Sequence, residues 1–314
     1  MKRISLTKNR ISLYVIYIIF VFLIVFFTIL LGNRFFSYFN FINILRQTAM
    51  ISIMSIGMTF ALSSGEIDLS VGSTISFSAL LTAMTLRYYP TFVGVIVGLG
   101  SGILVGFLNG SLVAWLKIPS FLVTVGSMSL IGGLSRWVTG MKSIEITNER
   151  YNFLFGSGDI GNISILFIWT IGVMIIGFLL LQRTAYGRMV LASGGNEKAA
   201  FYTGINTRLI KMSTLMISAV SASLAGMLYA GRLHGVRYTI GEGLELSVIA
   251  ATVIGGTSLF GGRGTIIGSV IGSLVIGIIN NGLILLGLSI AEQMFFRGLI
   301  LIVAVAINTR LQSR

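Results

Sequence analysis

No cysteine occurs in the 314 residues, which excludes disulfides and thiol chemistry. A single histidine, His234, is too few for a histidine metal site or for a Ser/His nucleophile with a spare imidazole; it reads as a polar loop residue. Charge is scarce as well. Only 10% of the residues are charged against 55% hydrophobic, and the mean hydropathy is +0.95, so the chain lacks the polar surface of a soluble globule. No lysine follows a glycine, so the Gly-Lys-Ser/Thr core of a P-loop is missing and the chain has no ATP site of that kind. The net charge of +13 is scattered over loops without interleaved aromatics, which argues against nucleic acid as a partner.

What is present is apolar length. A helix needs about 20 apolar residues to cross a bilayer, and the runs here are continuous rather than alternating, which excludes a β-barrel. The sequence predicts an all-α polytopic membrane protein of about ten spans in one domain, 1–314. The spans are expected at 11–31, 44–62, 69–86, 92–116, 121–138, 163–181, 212–230, 246–260, 265–286 and 293–307, the eighth short and reading as a broken helix. Residues 1–10 form the N-terminal segment, 11–181 spans one to six, 182–211 a polar loop, 212–309 the remaining spans and 310–314 the tail. Although Lys2, Arg3, Lys8 and Arg10 precede the first span as in a secretory leader, that span is too long for a leader and lacks a small-residue cleavage site, so it is expected to stay.

Both termini are predicted to be cytoplasmic. That orientation puts Lys117, Arg183, Arg188, Lys198, Arg208, Lys211, Arg263, Arg310 and Arg314 inside with the N-terminal basic cluster, and most carboxylates outside.

Glycine is abundant, 39 residues, against about 7% in average usage. Gly94, Gly98, Gly102, Gly106 and Gly110 recur every fourth residue along the fourth span, as do Gly264, Gly268 and Gly272 in the ninth. Such stripes let helix backbones approach closely. Asp68-Leu-Ser-Val71 is echoed by Glu245-Leu-Ser-Val248, so spans two to five are expected to repeat as seven to ten, inverted, an architecture with the solute path at the repeat interface. Glycine ladders also arise in any tightly packed bundle.

No charged residue is expected near a span centre: Arg46, Arg136 and Arg297 fall near helix ends, and Glu66, Asp68 and Glu245 at span ends, Asp68 as N-cap of the third span. That disfavours a proton-driven carrier. For a solute path the polar candidates are Asn109, Asn280 and Asn281 with Thr124 and Ser127, which suit sugar hydroxyls or, equally, interhelical hydrogen bonds.

The 182–211 loop is rich in small residues and bases, fitting either a partner's docking surface or a solvated loop. Its run RTAYGRMVLASGGNEKAAFYTGIN, Arg183 to Asn206, resembles the cytoplasmic coupling loop of the ABC importer permeases for monosaccharides of the ribose, xylose and galactose type, within the branched-chain amino acid permease superfamily. Ala199, Ala200 and Gly204 match the A-A-x3-G part of the importer motif, and Glu197 stands one residue further out than the usual glutamate. The resemblance extends to GEIDLSVGS (Gly65, Asp68, Ser70 and Gly72), IPSFLVTVGSMSLIGG (Pro119 and Ser120) and VIGGTSLFGGRGTIIGS (Gly255, Gly256, Gly261, Gly262, Arg263 and Gly264). Family members often carry Gly-Gly-Ile-Asp-Leu where Glu66 interrupts the pattern here.

The resemblance implies a coupling site of Gly187, Arg188, Gly194, Gly195, Asn196, Glu197, Ala199, Ala200 and Gly204. It also implies a permease dimer, a cytoplasmic ABC ATPase subunit carrying ATP and Mg, and an extracytoplasmic sugar-binding protein, with no cofactor on this chain itself. The competing readings are an ABC permease for a branched-chain amino acid, nucleoside or signalling furanose, and an ion-coupled carrier. A membrane enzyme is disfavoured, because no nucleophile, base and orienting group converge.

Overall fold

The computed structural model describes residues 2–312; Arg314 of the predicted tail lies outside them. Helices account for nearly all the regular structure. α1 (Lys2–Leu31), α2 (Tyr38–Ser63), α3 (Val71–Leu86), α4 (Thr91–Trp115) and α5 (Ser120–Thr139) follow one another with short turns. An irregular segment holds strand β1 (Ile144–Glu145), α6 (Glu149–Asn152) and the hairpin β2–β3 (Asp159–Ile160, Ile163–Ser164). After it come α7 (Ile165–Phe178), α8 (Ala185–Gly195), α9 (Glu197–Tyr202), α10 (Thr207–Leu233), β4 (Gly235–Val236, paired with β1), α11 (Leu244–Ile254), α12 (Ile266–Leu285) and α13 (Ile290–Gln312).

Each expected span has a helix, with shifted boundaries. The first helix begins well before residue 11, and the seventh starts at Thr207, inside the expected loop, where Asn206 accepts from Leu209 N–H and caps it. The eighth ends at Ile254 rather than 260, because Gly255 and Gly256 stop it; Gly256 has φ +91°. Seven helices among the described residues are long and apolar enough to cross a membrane, whereas α3 and α11 are shorter. The 11 residues of α11 reach only about 16 Å, roughly half of the hydrocarbon layer.

Polarity decides the layers. α2 and α10, among the least apolar of the long helices (mean hydropathy 1.2 and 1.4), lie at the centre, while the more apolar stretch Ile16–Arg34 (2.6) is mostly at the periphery, packed against α12 through Phe27. Their serines and threonines bond across interfaces: Ser52 to Ser273 at 2.5 Å, Thr59 to Ser269 at 2.7 Å, and Ser64 to Thr214 at 2.9 Å. With lipid as solvent these bonds and close backbone packing replace the hydrophobic effect between helices.

The packing obeys an exchange rule. α4 packs on α10 as α12 packs on α2; α3 packs on α4 and α5 as α11 packs on α12 and α13; α3 meets α10 as α11 meets α2. Each contact is reproduced when α2–α5 are exchanged for α10–α13. The paired helices α2 and α10 run antiparallel, since Arg232 Nη1 donates to Arg46 O at one end and Ser64 meets Thr214 at the other. Corresponding helices of opposite direction make the two units an inverted repeat. The first glycine ladder is its seam: a methyl on Gly102, Gly106 or Gly110 would collide with Ser223, Met216 or Met212 of α10. Gly264 of the second ladder abuts Ser63 and Thr59 of α2, but Gly268 and Gly272 serve α11 instead.

Candidate functional site

The extended segment from Gly65 to Ser70, between α2 and α3, is where the motif stretches meet. Gly65 turns the chain with φ +86°, a conformation glycine adopts without a Cβ penalty. Beneath it the C-terminal end of α8 presses on α2: a Cβ at Gly194 would strike Ser63 O and Gly262 N. Gly262 N–H donates to Ser63 O at 3.0 Å, and Gly261 abuts Gly194, so the Gly261–Gly264 loop closes the third side. Only glycines permit three backbones to meet so closely. Arg263 within that loop is exposed, its carbonyl accepting from Ser258 N–H.

The same segment is tied to α5. Ile67 N–H donates to Ser120 Oγ at 3.0 Å, and Thr124 Oγ1 donates to Ile67 O at 3.2 Å as well as to Ser120 O. Pro119 precedes α5, its fixed φ suited to a helix start. Further along, Ser70 Oγ donates to Asp68 Oδ1 at 2.6 Å and accepts from Asn109 Nδ2 at 3.0 Å, while Ser127 Oγ donates to Asn109 Oδ1. Asn109 and Ser127 therefore join one hydrogen-bonded cluster with Asp68 and Ser70, and Thr124 holds the adjoining Ile67 carbonyl. Asn109 and Thr124 are buried, whereas Ser127 at the edge of the cluster is half-buried.

One expectation fails here. Asp68 is not the N-cap of α3: Ser70 holds that position, and Asp68 accepts its N–H and hydroxyl in an Asx turn instead. The Asp68 carboxylate does lie at a span end, between α2 and α3, but it is buried there. Asp68 is 1% exposed: the segment after Gly65 is bonded to α5 through Ile67, and Ser218 of α10 lies beside the Asp68 carboxyl. The Asp68 and Glu245 echoes lie before α3 and in the first turn of α11, whose N-termini face one another. Gly72 abuts Gly241 and the Glu245 carboxylate, and Gly241 N–H donates to Ser76 Oγ at 3.0 Å.

Asn281 is elsewhere. Its amide pairs reciprocally with Asn40 of α2, at 2.9 and 3.0 Å, an interhelical lock remote from Asp68 in sequence and contacts. Asn280, half-buried beside it, leaves Oδ1 without a hydrogen-bond partner among the described residues. Neither joins the Asp68 cluster.

The 182–211 loop is a helical hairpin of α8 and α9. Thr184 caps α8 by accepting from Gly187 N–H, and Gly187 abuts Leu181 O. Asn196 caps α9, accepting from Ala199 N–H at 3.0 Å. Ala200 packs inward, and Gly204 turns the chain at φ +87° with open space around it. Tyr186 Oη sits 2.7 Å from Ser213 Oγ; burial pushes its phenol up, partly offset by that bond. What the loop offers outward is Arg188, Lys198 and Ala199 with two aromatics, Phe201 at 63% and Tyr202 at 85% exposure. Composition did not single out these aromatics, because a Phe-Tyr pair in an apolar chain is ordinary until its neighbours face inward.

Glu66, the departure in the first motif, is paired. Lys211 Nζ, in the first turns of α10, lies 3.1 Å from Glu66 Oε1 and 2.8 Å from Glu197 Oε2. On the opposite side Arg136 of α5 pairs with Glu242 and stacks on Tyr238, and Arg46 holds Asp159 at 2.6 Å.

Comparison with known proteins bears on the same segments. The family model described as branched-chain amino acid transport system / permease component matches residues 40–305. The ribose import permease protein RbsC of Bacillus subtilis is 37% identical over 92% of this chain and 90% of its own length. RbsC of Escherichia coli is 35% identical over 90% and 89%, and the fructose import permease protein FrcC of Rhizobium meliloti 36% identical over 90% and 81%. No solved structure matches. With an inverted-repeat helical fold, motif segments that meet at one buried turn, and relatives that align over most of both chains, this chain belongs to the branched-chain amino acid transport system / permease component family.

Proposed function

We propose that the chain is the permease subunit of an ATP-driven importer that passes a monosaccharide across a bacterial inner membrane, with both termini cytoplasmic. The relatives named for ribose, fructose and D-allose favour a sugar over an amino acid or nucleoside. An ATPase subunit carrying ATP and Mg would dock on the α8–α9 hairpin, an extracytoplasmic binding protein would deliver the sugar, and a second permease copy would complete the dimer. The observation that carries this reading is the seating of the hairpin: Gly194 and Gly195 sit against Ser63, Gly261 and Gly262, directly under the segment that holds Asp68 and Ser70. A push on α9 thus has a short packed route to the buried polar cluster. Exposed Phe201 and Tyr202 suit a partner's pocket, since aromatic anchors dominate interface energetics.

Gly204 provides the test. Bulk there meets nothing within this chain, and the positive φ is one asparagine tolerates. Gly204→Trp is expected to abolish energised uptake of labelled ribose in cells supplying ATPase and binding protein, with membrane insertion intact, while Gly204→Asn keeps most of it. Equal uptake by both variants overturns the docking assignment; uptake that collapses with the proton gradient at constant ATP would instead identify an ion-coupled carrier.

A further inference from the structure

The two places where this sequence departs from the pattern it resembles are Glu66, where glycine is frequent, and Glu197, one residue out of register. They are far apart in sequence, yet both end on one cation. Lys211 Nζ lies 3.1 Å from Glu66 Oε1 and 2.8 Å from Glu197 Oε2. The Glu66 side chain is 8% exposed and that of Glu197 51%, so the lysine connects a buried carboxylate to one on the cytoplasmic surface.

We propose that Glu66, Lys211 and Glu197 form a three-charge strut that transmits displacement of α9 to the Gly65–Ser70 segment, making Glu66 a positioning residue for the solute path; this rests on the docking reading above. The strut has a stiff half and a soft half. Glu66 is buried, and an unpaired buried carboxylate is strongly disfavoured, so the Glu66–Lys211 contact resists breaking. Glu197, half in water, exchanges its partner for solvent at little cost. An ammonium has three N–H donors, enough to hold both carboxylates at once. Small movements of α9, within the reach of the 2.8 Å Glu197 contact, pull on Lys211 at the base of α10, and Lys211 carries Glu66 with it; larger ones release Glu197 to water. The next residue, Ile67, is bonded to Ser120 and Thr124 of α5, and the one after is Asp68. Glu197 in the usual register would lie about 100° further round the helix and away from this lysine.

Because the chain has no cysteine, a spin-label pair can be placed specifically on the isolated permease, before the ATPase subunit is added, at the exposed outer ends of α3 and α5, Arg87→Cys and Trp137→Cys. The complex with its ATPase subunit is reconstituted in nanodiscs, and the distance between labels is read with and without vanadate-trapped nucleotide. The nucleotide-driven change is expected to shrink at least about twofold in Glu66→Gln, which keeps shape and removes charge, and to persist in Lys211→Arg, which still reaches both carboxylates. ATP hydrolysis continues in each, so a general loss of structure would not mimic the pattern. An unaltered change in Glu66→Gln overturns the strut. Should that variant not insert, Glu197→Gln probes the exposed end of the same strut, and an unaltered change there overturns it equally. No nucleotide response in the unsubstituted complex overturns the docking reading and the strut with it, whereas a response that is indifferent to Glu66 sinks the strut alone.

Discussion

Gly106→Ala tests whether the glycine ladder is a backbone seam. A methyl there lies 2.6 Å from Met216 Cα, 3.0 Å from Ala219 Cβ and 3.1 Å from Leu215 O. Ordinary contacts begin near 3.4 Å, so α4 and α10 must part by about 0.8 Å (3.4 less 2.6), and Met216 Cα cannot rotate aside. A gap of 0.5–1 Å forfeits roughly a quarter to a half of each dispersion contact along the seam. Overpacking of this kind typically costs about 1–3 kcal/mol. Alanine in place of glycine in a helix returns at most about 1 kcal/mol. Gly100 supplies the control, being on the same helix with no atom within 4 Å of the added methyl. Unfolding free energy by steric trapping in bicelles should place Gly106→Ala about 1–3 kcal/mol below Gly100→Ala. Equal stabilities would refute the claim that the α4–α10 interface rests on backbone approach.

The Asn40–Asn281 pair predicts a non-additive cycle: Asn281→Leu leaves Asn40 Oδ1 unpaired in a buried site, its Nδ2 keeping only Phe35 O, and costs about 1–2 kcal/mol, whereas Asn40→Leu with Asn281→Leu recovers much of it in the same stability assay. For Tyr186 the sign follows from a folded-state phenol raised above its usual range by burial: its contribution is full below the ordinary tyrosine range and is lost as pH rises through the folded value. Tyr186→Phe should accordingly flatten the alkaline end of a pH–stability curve and cost about 1 kcal/mol at neutral pH through the lost Ser213 bond.

Much of the fold was legible one residue at a time. Apolar length gave the helices, since a bilayer sets that length, and the four-residue glycine period gave the α4 seam, since a helix repeats its face nearly every fourth residue. The inverted repeat was visible in the paired ladders and in the Asp68 and Glu245 echo, although Gly268 and Gly272 proved to face a different helix from their counterparts. Boundaries slipped where short-range turn chemistry overrode hydropathy, as at Gly255–Gly256 and at the Asn206 cap.

The site divided differently. Asn109, Thr124 and Ser127 were legible as polar residues in apolar helices, but Asn281 carried the same signal and serves a lock with Asn40. Residue type cannot separate the two, because a buried amide needs partners whatever its role. The sequence by itself determined that this chain is a bundle of membrane helices with a polar loop between two related halves, because hydropathy and periodicity are local properties. Only the tertiary structure decided that Asp68 is buried, that the motif segments meet at one turn, and that Glu66 and Glu197 share Lys211. Those are contacts between segments up to 199 residues apart (262 less 63), and their distances are set by how the helices pack.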